Sequence, residues 1–137
     1  MEILVRTHSG LRYVVLGLLL AAIYVAFTNR SKPNAPYSKV YLWAMIATHT
    51  QLLIGLVLYA MDWGVKVRFD MMGDKFYRFY AIEHLVGMLI AIALITVGHA
   101  QGKKANHRKV FTFYLIALVV IFLSIPWPFR NLGAAWF

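Results

Sequence analysis

The sequence contains no cysteine and only 5 acidic residues in a chain of 137. The lack of cysteine excludes disulfides, zinc–thiolate sites, iron–sulfur clusters and covalent haem attachment through paired cysteines. The sequence also lacks the Asp/Asn/Gly pattern of a calcium loop, the P-loop and the dinucleotide-binding fingerprint. Any cofactor chemistry therefore has to use other side chains.

The chain is instead rich in apolar and basic residues. Hydrophobic residues make up 61% of it and the formal net charge is +9, with a mean hydropathy of +0.67. Such a composition is too apolar for an ordinary soluble domain. Because the basic residues lie between apolar runs, they indicate the flanks of membrane spans and not a nucleic-acid surface. The first apolar run has no cleavage-type pattern after it and is interpreted as a retained helix.

Four apolar segments have the length that a helical span requires, about 20 residues. They cover approximately residues 11–27, 37–61, 76–100 and 110–127. The connections between them are short, which favours antiparallel neighbours. The sequence therefore predicts one domain over residues 1–137, an all-α membrane protein folded as an up-down-up-down bundle of four transmembrane helices.

The distribution of Lys and Arg sets the expected orientation. Seven of these residues lie at the first and third connections and seven at the other end of the bundle, so the raw counts tie. The first and third connections carry their charges in short loops without any acid, and we expect them to be cytoplasmic. Both termini would then be periplasmic.

The apolar run at residues 79–100, within the third segment, carries ionisable groups along its length. Glu83 and His84 lie one turn inside it, and His99 lies at its far end. Ionisable side chains are costly in hydrocarbon and mark functional sites by default. We therefore look for the chemistry of this protein here.

Two facing histidines in a bundle core can hold haem b without cysteine. His84 is the expected common ligand. His49 ranks first as its partner, since the second and third helices are neighbours and the two side chains differ by about 6 Å in depth. His8, expected just before the first span, ranks next, because the first and third helices could lie on a diagonal. A site that uses all three histidines is a further alternative.

His99 and His107 flank the basic third connection. The fifteen-residue spacing of His84 and His99 resembles the tandem histidines of two-haem cytochromes b. A repeated spacing alone is weak evidence. We expect His99 and His107 to be solvated interfacial side chains, and a single haem.

Several other polar residues could support such a site. Arg12 and Arg78 lie near the depth at which haem propionates would emerge, or else they only extend to the interface. Glu83 points about 100° away from His84 on a helix, so it could pair with either arginine or form a quinone or proton site.

Near His49, Thr48, Thr50 and Gln51 could orient the imidazole or merely bond to the helix backbone. Met71 and Met72 lie in the second connection, where a role in copper binding is an alternative to that of an ordinary loop methionine.

Nearly the whole chain resembles a family of small bacterial four-span membrane proteins labelled "cytochrome B". The resemblance is carried by THSGLRYVVLGLLL, ATHTQLLIGLVLY, RFYAIEHLVGMLIAIALITVGHA and FYLIALVVIFLSIPWPF. It implies a b-type cytochrome or a haem-binding membrane subunit, with His8, His49 and His84 at the motif positions. It also implies the bacterial inner membrane.

These observations together predict a membrane-embedded carrier of one haem b that passes electrons between quinol and a respiratory partner. We expect an electron-transfer subunit rather than a stand-alone enzyme, in contact with lipid and with other membrane subunits or a second copy, and no nucleic-acid partner. Two alternatives remain open. One is a cofactor-free accessory or scaffold subunit of a larger inner-membrane complex, and the other is a protein that handles copper or another metal through His8, His49, His84 and Met72.

Overall fold

The computed structural model describes residues 2–134 and residue 136, and within them the protein is helical without strands. Four helices are long and apolar enough to cross a membrane: α1, Glu2–Asn29; α2, Lys39–Met61; α3, Lys75–Lys103; and α4, His107–Ser124. One short 3-10 turn, Phe69–Met71, lies between α2 and α3, and another, Pro128–Arg130, lies after α4. The predicted all-α bundle of four helices is confirmed.

The four helices form a square in which neighbours in sequence are neighbours in space. Helix α1 packs against α2 and α4, and α3 packs against the same two helices. Helices α1 and α3 therefore face each other across a diagonal. One end of the bundle, the N-terminal end, holds residue 2, the second connection and the segment after α4. The opposite end holds the first and third connections.

Small side chains let the helices approach closely, as is common in membrane bundles. A Cβ atom on Gly87 would lie only 2.0 Å from Ser124 Oγ, and one on Gly98 would lie 2.8 Å from the Tyr114 ring. The two glycines are eleven residues apart and point within about 20° of each other, so they lie on one face of α3. That face packs against α4, while large apolar side chains such as Leu20 and Leu53 point outward.

Helix α1 begins nine residues before the start predicted for the first span. Glu2 and Arg6 form an i,i+4 ion pair at 3.1 Å that supports its first turns. As a result His8 lies within the helix, whereas the hydropathy of the sequence placed it just outside. The polar first turns extend the helix beyond the apolar run, which is why hydropathy alone missed them.

Helix α3 contains a π-helical turn at Phe79–Glu83, directly before His84. Its start is capped by Asp74, whose carboxylate accepts a hydrogen bond from the Phe76 N–H at 2.8 Å. π-turns within α-helices are frequent at functional sites. Here the turn lies directly N-terminal to His84 and changes the direction in which the following residues point.

Candidate cofactor site

A cavity of about 380 Å³ lies inside the bundle toward its N-terminal end. All four helices and the segment after α4 contribute to its wall. Its volume falls in the range of sites that hold small molecules or cofactors, about 300–1,000 Å³. His8 from α1 and His84 from α3 both line it.

The two imidazoles meet across the diagonal of the bundle. Their ring centroids are 6.2 Å apart and their planes are nearly perpendicular, at 81°. Since α1 and α3 scarcely contact each other elsewhere, the space between these helices is where a ligand would be accommodated.

Helix α4 holds the imidazole of His84 in place. Its Nδ1 lies 2.6 Å from the Ser124 carbonyl oxygen, and Phe79 packs near its ring at 5.6 Å. The close approach of Gly87 to Ser124 brings the carbonyl within reach. With Nδ1 donating to the carbonyl, Nε2 is the nitrogen left for another partner.

The imidazole of His8 rests against helix α2. A Cβ atom on Gly55 would lie 3.2 Å from His8 Cε1, so only glycine leaves the ring its full space. Gln51 Nε2 donates to the His8 carbonyl oxygen at 2.6 Å. Within the part of the chain that the structure describes, His8 Nδ1 and Gln51 Oε1 are buried without a hydrogen-bond partner. Such atoms are uncommon in a folded core and call for a reason.

His49, ranked first from the sequence as the partner of His84, is not beside it. Its Nδ1 lies 2.8 Å from the Met45 carbonyl oxygen and its Nε2 lies 3.5 Å from Thr96 Oγ1. Thr96 is twelve residues beyond His84, which is about 18 Å along the helix. His49 is also not among the residues that line the cavity.

The reason is the relative height of the two helices. Helices α2 and α3 are antiparallel, so a residue farther along α2 lies level with one nearer the start of α3. Tyr59, ten residues after His49, donates to the Ala81 carbonyl oxygen at 2.9 Å, which shows the actual register. Depth counted from the midpoints of two apolar runs therefore misplaced His49.

The polar residues around His49 form hydrogen bonds with their own helix backbone or with His8. Thr48 and Thr50 donate to carbonyl oxygens of their own helix, the role expected of them if they only satisfy the backbone. Gln51 contacts His8 instead of His49. In the sequence Gln51 is two residues from His49, but its hydrogen-bond partner is His8 in α1.

Arg12 and Arg78, the two arginines suggested as partners of haem propionates, lie in different environments. Arg12 is buried and lines the cavity, where its guanidinium lies 5.1 Å from the Trp127 ring and donates to the carbonyl oxygen of Trp136. Arg78 forms an ion pair with Glu83 at 3.1 Å, one of the two pairings that the sequence suggested for Glu83. Both side chains are about half exposed, and neither lines the cavity.

A second group of polar aromatic side chains, the Tyr–His cluster, lies near the opposite end. Its members are Tyr37, Tyr41, His99, His107 and Tyr114. The Tyr37 hydroxyl lies 2.7 Å from His99 Nε2, and the Tyr41 hydroxyl lies 2.8 Å from His107 Nδ1. Burial raises the pKa of Tyr37, so its hydroxyl stays protonated in this contact.

The expectation that His99 and His107 are solvated is wrong. They are only 6% and 2% exposed, and His107 Nε2 has a second partner, the Ala35 carbonyl oxygen at 2.9 Å. Tyr37 and Tyr41 supply hydrogen-bonding groups to these histidines, which a basic loop in the sequence does not suggest. Tyrosines near the ends of the predicted spans are visible in the sequence, but tyrosine is common there in any membrane protein.

Within the described residues no group of three or more His, Asp or Glu side chains is arranged to hold a metal ion. Comparison with protein-family models, with curated proteins and with solved structures finds no match. The assignment of a function therefore depends on the residues of the site.

Proposed function

We propose that this protein is a b-type cytochrome in which His8 and His84 hold one haem b within the bundle. In this proposal it resides in the bacterial inner membrane with both termini periplasmic and carries electrons between quinol and a respiratory partner. The observation that carries the proposal is the pair of imidazoles 6.2 Å apart on the wall of a cavity.

The separation of the rings would suit two imidazoles that bind the same metal ion. A metal–imidazole nitrogen bond is about 2 Å long, and the ring centre lies roughly 1 Å behind the nitrogen, so two such rings on opposite sides have centroids about 6 Å apart. Imidazole planes are free to rotate about the metal–nitrogen bonds. The angle of 81° between the planes is therefore compatible with shared coordination.

The hydrogen bonds of the two histidines also support coordination. Metal-bound histidine commonly donates its other ring nitrogen to a carbonyl or carboxylate, as His84 Nδ1 does to Ser124. The buried Nδ1 of His8 and the buried Oε1 of Gln51 are potential partners for each other, because a small rotation of the amide would let His8 donate to it. His8 Nε2 would then be the ligating atom.

Bound haem b would supply one-electron redox chemistry, with His8 and His84 as the residues that hold it. Arg12 lines the cavity with its charge buried, where a propionate would be a favourable partner. Arg78 and Glu83 neutralise each other outside the cavity. A quinol contact at Glu83 therefore has less support than a role for Arg12.

The test is the visible spectrum of the purified protein, reduced with dithionite and compared with the oxidised form, with a pyridine haemochrome assay. We expect His8→Ala and His84→Ala to lose the b-type signal at least tenfold. His49→Ala is the matched control, since it removes an intramembrane histidine that lies away from the cavity, and it should retain the signal.

Two results would overturn the proposal. A folded wild-type protein without a Soret band after haem-replete expression would favour the cofactor-free accessory subunit, or a copper site detectable by metal analysis. Loss of the signal in His49→Ala with retention in His8→Ala would reject His8 as the ligand and restore the other pairing.

A further inference from the structure

The opposite end of the bundle carries a second concave site, independent of the haem proposal. A groove of about 410 Å³ lies between the first and third connections. Four of its lining side chains are cationic and come from the two connections and the first turn of α4: Arg30, Lys32, Lys104 and Arg108. Its remaining walls include the polar side chains of Asn29, Ser31 and Asn106.

The charges of this groove have no acidic counterpart. All five acids of the sequence, Glu2, Asp62, Asp70, Asp74 and Glu83, lie toward the N-terminal end of the bundle. The ion pairs found in the described part of the chain are likewise formed by Arg6, Arg68 and Arg78. Four like charges around one groove repel one another unless an anion joins them.

The structure holds the two connections together as one wall. His107, at the start of α4, bonds to the Ala35 carbonyl oxygen in the first connection and to Tyr41 in α2. At the end of α3, the Asn106 N–H donates to the Gln101 carbonyl oxygen at 3.0 Å, with Ala105 in a left-handed conformation (φ 57°). This Schellman-type end fixes the direction of the third connection. The groove is therefore preformed.

Its place in the molecule identifies the kind of anion. The groove lies where α1 and α3 end and α4 begins, which is the level at which spans leave the hydrocarbon and lipid phosphates are found. Helix α4 also begins there, and the N-terminus of an 18-residue helix adds partial positive charge. Basic pockets between transmembrane helices bind anionic lipid head groups.

We propose that this groove binds the phosphate head group of an anionic phospholipid, with Lys104 and Arg108 as principal contacts. Both side chains are exposed and line the groove. Lys103 and Lys109 are exposed cations of the same connection that do not line it. The chain therefore contains a matched control of equal charge at nearly the same positions.

The experiment uses the full-length protein in a neutral detergent, titrated with phosphatidylglycerol, phosphatidylcholine or inorganic phosphate and followed by native mass spectrometry. We expect phosphatidylglycerol to bind and phosphatidylcholine not to bind. Lys104→Gln/Arg108→Gln should weaken binding about 30-fold, since each basic contact contributes about fivefold. Lys103→Gln/Lys109→Gln should change it less than threefold, and binding should weaken with salt.

Three outcomes would overturn the proposal. Equal weakening by both double variants would mean that only the overall charge of this end matters. Equal binding of phosphatidylcholine would reject recognition of an anion. Binding of inorganic phosphate with the same residue dependence, but not of phosphatidylglycerol, would make the groove a site for a soluble phosphate. Should the Lys104/Arg108 variant fail to fold, Lys32→Gln with Lys39→Gln as its control makes the same comparison.

Discussion

The two ends of the bundle use histidine in opposite ways. Near the N-terminal end, His8 and His84 face a cavity, and His8 Nδ1 is buried without a partner among the described residues. In the Tyr–His cluster, both nitrogens of His107 have partners and His99 has the hydroxyl of Tyr37. The first pair has capacity left for a ligand, while both nitrogens of His107 and Nε2 of His99 already contact the protein.

This difference shows that burial of a histidine does not by itself indicate a cofactor. His107 is more buried than most residues of the chain, yet its bonds join the first connection, α2 and α4. What distinguishes His8 and His84 is a cavity together with a nitrogen whose hydrogen-bonding capacity the protein does not use. The comparison leads to three predictions for stability, from the largest effect to the smallest.

The largest effect is expected from His107→Ala. This change leaves the Tyr41 hydroxyl and the Ala35 carbonyl oxygen buried without their partner, which should cost about 2–4 kcal/mol of unfolding free energy. His8→Ala in haem-free protein removes an imidazole with an unpartnered nitrogen and should cost less than about 1 kcal/mol. Thermal unfolding in detergent compares the two, and equal losses would remove the distinction between the two ends.

Gly87→Ala should have an intermediate effect. A Cβ atom at this position would lie 2.0 Å from Ser124 Oγ, so α3 and α4 must separate, at about 1–3 kcal/mol. The Ser124 carbonyl would then move away from His84. The control is Gly17→Ala, where a Cβ atom meets nothing within 4 Å and the protein should gain up to about 1 kcal/mol. Partial rescue of Gly87→Ala by Ser124→Gly would establish the contact, and a Gly87→Ala protein as stable as wild type would contradict it.

The smallest effect is expected from Glu83→Gln. Glu83 is adjacent to His84 in sequence, but its carboxylate pairs with Arg78 and is about half exposed. Exposed pairs contribute little, so the unfolding free energy should change by less than about 0.5 kcal/mol. If the protein has a b-type spectrum, this variant should keep it. A large loss of either would mean that the acid belongs to the site after all.

The fold was predictable because its main signal is local in the chain. Apolar runs of about 20 residues separated by basic connections define spans in any arrangement, and short connections make neighbours antiparallel. The ends of the helices were harder to predict from the sequence. The polar start of α1 and the π-turn of α3 depend on side-chain pairs and backbone geometry that hydropathy does not register.

The sequence was informative about which residues to examine and much less about how they combine. It indicated His84 and Arg12 as residues of interest, and both line the cavity. It did not identify Gly55 and Ser124, because a glycine that receives a ring and a carbonyl that orients an imidazole look like ordinary helix residues.

The amino-acid sequence alone predicts four membrane-length helices with histidines within or beside them. Which histidines meet depends on the tertiary structure. The meeting of His8 with His84 depends on the diagonal placement of α1 and α3 and on the relative height of the helices. Hydropathy measures the free energy of transfer of a side chain from water to lipid. This free energy is nearly unchanged when one helix slides a few residues past another, but the contacts between particular side chains change completely.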